Sequence, residues 1–198
     1  FEPGDLFRPS ALVETERLLY ALPIVESVSI EPVGLEAGEL VVSPRITVEA
    51  GRTQAVQAEG TVSSTYCLQA VGAWAHRYFL GGPRVFSLSA GASNLFADQL
   101  GGGFPCTSTG EGAYANPNYF VRAELQQPWP GSPRTEILAN AFVSRESAPF
   151  VYVQRGYGGQ LGILRQIQLD LIGSFRYSPQ RYALSAADVY FCGNYGAC

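Results

Sequence analysis

Tyr119-Phe120-Val121-Arg122-Ala123-Glu124-Leu125-Gln126 puts Tyr, Val, Ala and Leu at odd positions and Phe, Arg, Glu and Gln at even ones. A period of two belongs to a strand with one apolar and one wetter face. The same alternation recurs outward in both directions. Val56, Ala58, Gly60 and Val62 interleave with Gln57, Glu59, Thr61 and Ser63, and Phe86, Leu88, Ala90 and Ala92 with Ser87, Ser89, Gly91 and Ser93. Ile137, Ala139, Ala141 and Val143 continue it. With segments 68–79, 152–164 and 171–177, this predicts about seven strands between residues 51 and 198.

The connections are unequal. Leu80-Gly81-Gly82-Pro83 and Pro130-Gly131-Ser132-Pro133 are tight turns, whereas Ala97 to Asn118 is long and Gly-rich. Short turns on one side and long loops on the other, with segments near the roughly 9–11 residues that cross a bilayer, predict a transmembrane antiparallel β-barrel. Tyr78, Tyr119 and Trp129 fall at segment ends, where interfacial aromatics belong. A soluble secreted β-sandwich alternates in the same way and is the competing fold.

Composition narrows the classes. Twenty-two Gly and 13 Pro among 198 residues argue against a mostly helical chain. Charged residues make up 15%, and the net charge of −4 supplies no basic footprint for nucleic acid. Aromatic content of 12% argues against disorder, and no apolar run reaches the length of a spanning helix. Every basic residue other than the one His is Arg, and Met is absent. A chain beginning at Phe1 therefore reads as a processed product or a piece.

Residues 1–50 have a different texture. Pro9-Ser10 followed by Ala11 to Leu22 predicts a helix, with Ser10 as N-cap, Glu14 and Glu16 in its first half and Pro23 as the stop. Leu12, Leu18, Leu19 and Leu22 share one side. Val25 to Glu31 alternates as a half-buried strand, Gly34 to Gly38 makes a turn, and Leu40 to Val48 supplies the partner strand. This is a small α+β unit.

Little catalytic chemistry is present. His76 has no G-x-S-x-G partner, and Gly101-Gly102-Gly103 lacks the Lys-Ser/Thr of a phosphate loop and reads as a flexible tip. Glu14 and Glu16 read as solvated surface, and Arg122 and Glu124 as ordinary lumen polarity. We expect no enzyme activity, no cofactor and no metal. Cys67, Cys106, Cys192 and Cys198 include no C-x-x-C pair. Two disulfides in an oxidising compartment, with three connectivities open, stand against free thiols in a reducing one.

Several stretches resemble the bacterial surface antigen family, the BamA/TamA-like POTRA-plus-barrel outer-membrane proteins. Gly4-Asp5-Leu6-Phe7, Arg17-Leu18-Leu19-Tyr20-Ala21-Leu22-Pro23 and Val25-Glu26-Ser27-Val28-Ser29-Ile30 look like the second half of a POTRA domain. Trp74-Ala75-His76-Arg77-Tyr78-Phe79-Leu80-Gly81-Gly82 resembles the family's second strand and turn. Gln127 to Thr135 resembles the turn after its fourth strand, and Gly159 to Arg165 its sixth strand. Arg155-Gly156-Tyr157 spells the family's conserved loop-tip tripeptide but falls too early and reads as strand.

The resemblance implies a domain at 1–50, the C-terminal part of a periplasmic POTRA, and one at 51–198, the first seven or so strands of a sixteen-strand barrel, hence part of a longer polypeptide. With residues 1–50 periplasmic, all four cysteines fall on the outer side. The implied function is non-enzymatic assembly, insertion or translocation of polypeptides at the bacterial outer membrane. Its partners would be outer-membrane lipid, unfolded outer-membrane or secreted chains and other envelope subunits. The first strand, with Gln57, Glu59, Gly60 and Thr61, would form the barrel seam. An accessory barrel without insertase activity, docked in a larger envelope complex, is the alternative.

Overall fold

The period-two segments hydrogen-bond to one another in chain order. The computed structural model describes residues 6–35, 41–100, 103–108, 110–149, 151–168, 170–185, 192–193 and 196. Helix α1 (Pro9–Tyr20) comes first, then β1 (Val25–Val33) and β2 (Ser43–Ala50), paired antiparallel as a separate two-stranded sheet. The second sheet holds β3 (Gln54–Ser63), β4 (Cys67–His76), β5 (Val85–Leu95), β6 (Asn118–Pro128), β7 (Thr135–Ala148) and β8 (Tyr152–Gln166). Two short strands, β9 (Ile172–Tyr177) and β10 (Gln180–Ser185), both pair with β8. Among the described residues no helix is long and apolar enough to cross a membrane.

β9 and β10 are one strand interrupted by a proline. Leu161 faces Tyr177 and Gly158 faces Gln180, so three steps on one strand match three on the other and the register never slips. Pro179 has no N–H to donate, yet its carbonyl still accepts from Gly159 N–H at 3.0 Å. The sheet is thus a meander of seven strands, as the alternation predicts.

The helix begins two residues earlier than expected. Arg8 is the N-cap, Pro9 takes the first helical position, and Ser10 lies inside the helix. Proline's fixed φ suits that position, and no side chain caps the end. In β1 a bulge between Val25 and Ser27 absorbs Glu26 and returns Val25 to the face of Val28, which is buried. The Tyr20 hydroxyl accepts from Val28 N–H at 3.3 Å and ties helix to hairpin. Leu40 and most of the expected turn at 34–38 lie outside the described residues, and β2 starts at Ser43.

Loop inequality is weaker than the sequence suggests. At the end of the sheet where β3 begins, here called proximal, the connections are 77–84, 129–134 and 167–171. At the distal end they are 64–66, 96–117 and 149–151, so only one distal loop is long. That loop folds back on the first hairpin. Cys67 and Cys106 form a disulfide, and with Ala97 and Ala115 they make a small buried cluster. Ser108 N–H donates to Ser64 O at 3.0 Å, and Asn94 N–H to Tyr66 O at 2.8 Å. Cys67 itself sits at φ 54°, the left-handed position that follows a three-residue hairpin loop and usually goes to glycine. Its cross-link offsets that backbone cost, which is about 1–2 kcal/mol.

Closing a loop over a sequence separation of 39 removes about 4 kcal/mol of denatured-state chain entropy. Cys106→Ser is therefore expected to lower the urea midpoint by the equivalent of about 3–4 kcal/mol, with reductant producing at least that loss in the unmodified protein, where Cys192 is also bridged. Equal midpoints for the oxidised and reduced forms would refute this.

Candidate functional site

Pairing carries each face of the sheet across all seven strands. Val56, Trp74, Leu88, Ala123, Ala141 and Gly159 lie on one row, and Gln57, Ala73, Ser89, Arg122, Phe142 and Gly158 on the next. The first face is apolar throughout its middle, and its large side chains are exposed. Val56 is 79% accessible, Leu161 51% and Phe175 70%, with Val121, Val143 and Ile163 also exposed. No second sheet covers it among the described residues, which contradicts the sandwich alternative, since a sandwich buries that face. The other face carries Gln57, Glu59, Gln69, Ser87, Ser89, Arg122, Glu124, Asn140 and Gln160.

Charge on the apolar face lies toward strand ends, apart from Arg181 of β10, which faces Tyr157. Along β8 its cations are Arg155 and Arg165, ten residues apart. At about 3.3 Å per residue and a tilt near 40°, they bracket roughly 25 Å along the barrel axis, the height of a lipid-facing band. At the proximal end Trp74, His76, Phe79 and Phe86 form a cluster, with Phe79 and Phe86 stacked at 4.9 Å. His76 Nδ1 accepts from Tyr78 N–H at 3.2 Å, a structural role. Tyr78 and Trp129 lie in proximal turns, and Tyr119 lies at the distal end of β6.

The expected seam residues all lie on an edge. β3 pairs with β4 alone among the described residues, leaving its other side open. Gln57, Glu59 and Thr61 fall on the polar face and Gly60 on the apolar one, all exposed. A Cβ at Gly60 would meet only Gln69 O at 3.9 Å, so the glycine reflects no crowding. The opposite edge is β9–β10, also with one partner. Of the cysteines, Cys67 pairs with Cys106, Cys192 is not a free thiol, and Cys198 lies outside the described residues. Gly101 and Gly102 of the triple glycine likewise lie outside them. Arg122 and Glu124 form no ion pair among the described residues. No group of three metal-binding side chains occurs there either.

Two residues escape the sequence reading. Glu14, expected to be merely solvated, accepts from Arg134 Nη2 at 2.5 Å and joins α1 to the 129–134 turn. Both side chains are nearly half exposed, so the pair contributes at most about 1 kcal/mol. Leu18, Trp129 and Ile172 line the cleft between them. Arg145 is buried at the distal end of β7. Its guanidinium donates to the carbonyls of Ala113, Asn116 and Pro117 and to Asn118 Oδ1, at 2.6–2.9 Å. Ser147 Oγ and Asn94 Nδ2 add bonds to Tyr114 O. Together they hold the second half of the long loop, as the disulfide holds the first. No local signal marks either residue, because each partner is far away in sequence.

No family model matches the chain, and no curated protein does. Among solved structures the chain is similar to the crystal structure of BamA from Haemophilus ducreyi lacking POTRA domains 1–3, with a TM-score of 0.60 and 13% identity. The likeness covers 93% of this chain and 32% of that one, so the chain spans about a third of that structure's length. At this identity the likeness establishes the fold, the wall of a BamA-like antiparallel β-barrel.

Arg145→Gln should free the loop carbonyls and cost about 2–3 kcal/mol. Limited proteolysis should then cut within 103–117 at least tenfold faster, while Arg122→Gln leaves the rate unchanged. An uncut loop in Arg145→Gln would show that the disulfide alone orders it.

Proposed function

We propose that the chain is part of an outer-membrane assembly, insertion or translocation factor that handles polypeptides without catalysing a covalent reaction. One observation carries this reading: a ten-residue edge strand, β3, whose open side lies at the border of a lipid-matched apolar band. Main-chain donors and acceptors cannot stay unpaired at that depth. An edge there must either close on another barrel strand or accept an incoming one. β3 and β9–β10 run in the same direction, because they are the first and seventh strands of a meander. Closing the sheet with antiparallel pairing alone therefore takes an odd number of further strands.

In this reading α1, β1 and β2 are the C-terminal part of a POTRA domain on the periplasmic side, spanning residues 1–50, and 51–198 begin the barrel. The proximal turns then lie in the periplasm, and the disulfide-clamped loop faces outward. Outer-membrane lipid, unfolded outer-membrane or secreted polypeptides and other envelope subunits are the partners. One observation favours the accessory-barrel alternative. The long distal loop is fixed at both halves, by Cys67–Cys106 and by Arg145, which suits a rigid docking surface.

The seam distinguishes them. In cells carrying the full polypeptide, a cysteine pair that locks β3 at Thr61 to the strand closing against it should arrest growth or secretion, with recovery on reduction. Normal growth with the lock fully formed would reject the assembly reading in favour of the accessory one.

A further inference from the structure

The distal end of the apolar face carries cations with no partner. Arg155 on β8 faces Arg145 on β7 and Ala183 on β10, and Arg181 on β10 faces Tyr157 on β8. Arg155 and Arg181 are thus diagonal neighbours on one face of one strand pair, a distance long side chains span readily. Arg145 is consumed by the loop carbonyls. Arg155 and Arg181 are exposed, and among the described residues neither makes a hydrogen bond or an ion pair. They border a shallow depression together with Tyr119, Val143, Tyr157 and Ala183.

Two like charges side by side repel, and on a lipid-facing surface they also lose hydration. A ligand that brings negative charge to that spot removes both costs. A guanidinium pair matches phosphate oxygens bidentately, and the flanking tyrosines suit the boundary between acyl chain and headgroup. Val143 and the apolar band below offer contact for acyl chains, which a free anion would not use. We infer that Arg155 and Arg181 form a binding site for the phosphorylated headgroup of a lipid in the leaflet at the distal end. This rests on the membrane reading above.

The test uses the full polypeptide, of which this chain is part, inserted in phosphatidylcholine vesicles and titrated with phosphatidic acid or with diacylglycerol of the same chains. Tyrosine and tryptophan fluorescence and lipid retained on re-isolation are the readouts. Phosphatidic acid should bind the unmodified chain roughly tenfold more tightly than it binds Arg155→Gln or Arg181→Gln. Arg122→Gln, which removes a cation from the opposite face, should leave the affinity unchanged. Both target residues are exposed, so their replacement leaves the sheet intact.

Equal retention of diacylglycerol would overturn the site as an acyl-chain contact, and full competition by inorganic phosphate would overturn it as a free-anion site. An equal loss in Arg122→Gln would reduce it to bulk charge. A chain that inserts but shows no dependence on either arginine refutes this inference alone, whereas a chain that fails to insert refutes the membrane reading beneath it.

Discussion

The main-chain hydrogen-bond ladder that runs from Gln54 to Ser185 is the constraint on which everything else depends. Each strand satisfies its backbone donors and acceptors through its neighbours, so the sheet needs no second layer for polar satisfaction. Because the ladder keeps its register through all seven strands, broken only by the shift near Leu68, the period of two in each segment adds up to two continuous surfaces. One is apolar and uncovered, and the other is polar. A water-soluble sheet has no use for an uncovered apolar face of that extent, whereas a barrel wall in lipid requires one.

Where the buried residues lie follows from the same constraint. Among the described residues there is no central hydrophobic core, since lipid would cover one face and a wet lumen the other. The buried cluster instead sits at the distal rim, where Cys67, Ala97, Cys106 and Ala115 lock the long loop onto the first hairpin. Arg145 completes the rim by turning a cation into a hub for loop carbonyls. At the proximal rim the Glu14–Arg134 pair is exposed and weak, so α1 and its hairpin are joined to the barrel chiefly through the chain itself.

Much of this was legible in the sequence because alternation is local. The segments at 54–63, 85–95 and 118–128 announce themselves in their own residues. The seventh strand is legible only to Tyr177, because Pro179 hides the continuation, although the register passes through it unchanged. The helix start is ambiguous in the sequence because Ser10 has the chemistry of a cap while Pro9 has the geometry of a first turn, and here geometry decides. Four cysteines permit three pairings, and choosing Cys67 with Cys106 needs the fold of a loop that composition does not encode. Arg145 follows an alternating run and looks like an ordinary rim charge. Its role depends on carbonyls about thirty positions earlier, which no window of periodicity can see.

The central claim is that the odd-numbered residues of β8 face lipid and the even-numbered ones face water. Nitroxide labels placed singly from position 155 to position 165, in the full chain reconstituted in vesicles, test it directly. Accessibility to oxygen relative to a water-soluble nickel complex should alternate with a period of two and peak for the odd positions near Gly159 and Leu161. Protection of those same odd positions from both relaxants would mean that a second protein layer covers the apolar face, and would contradict the account.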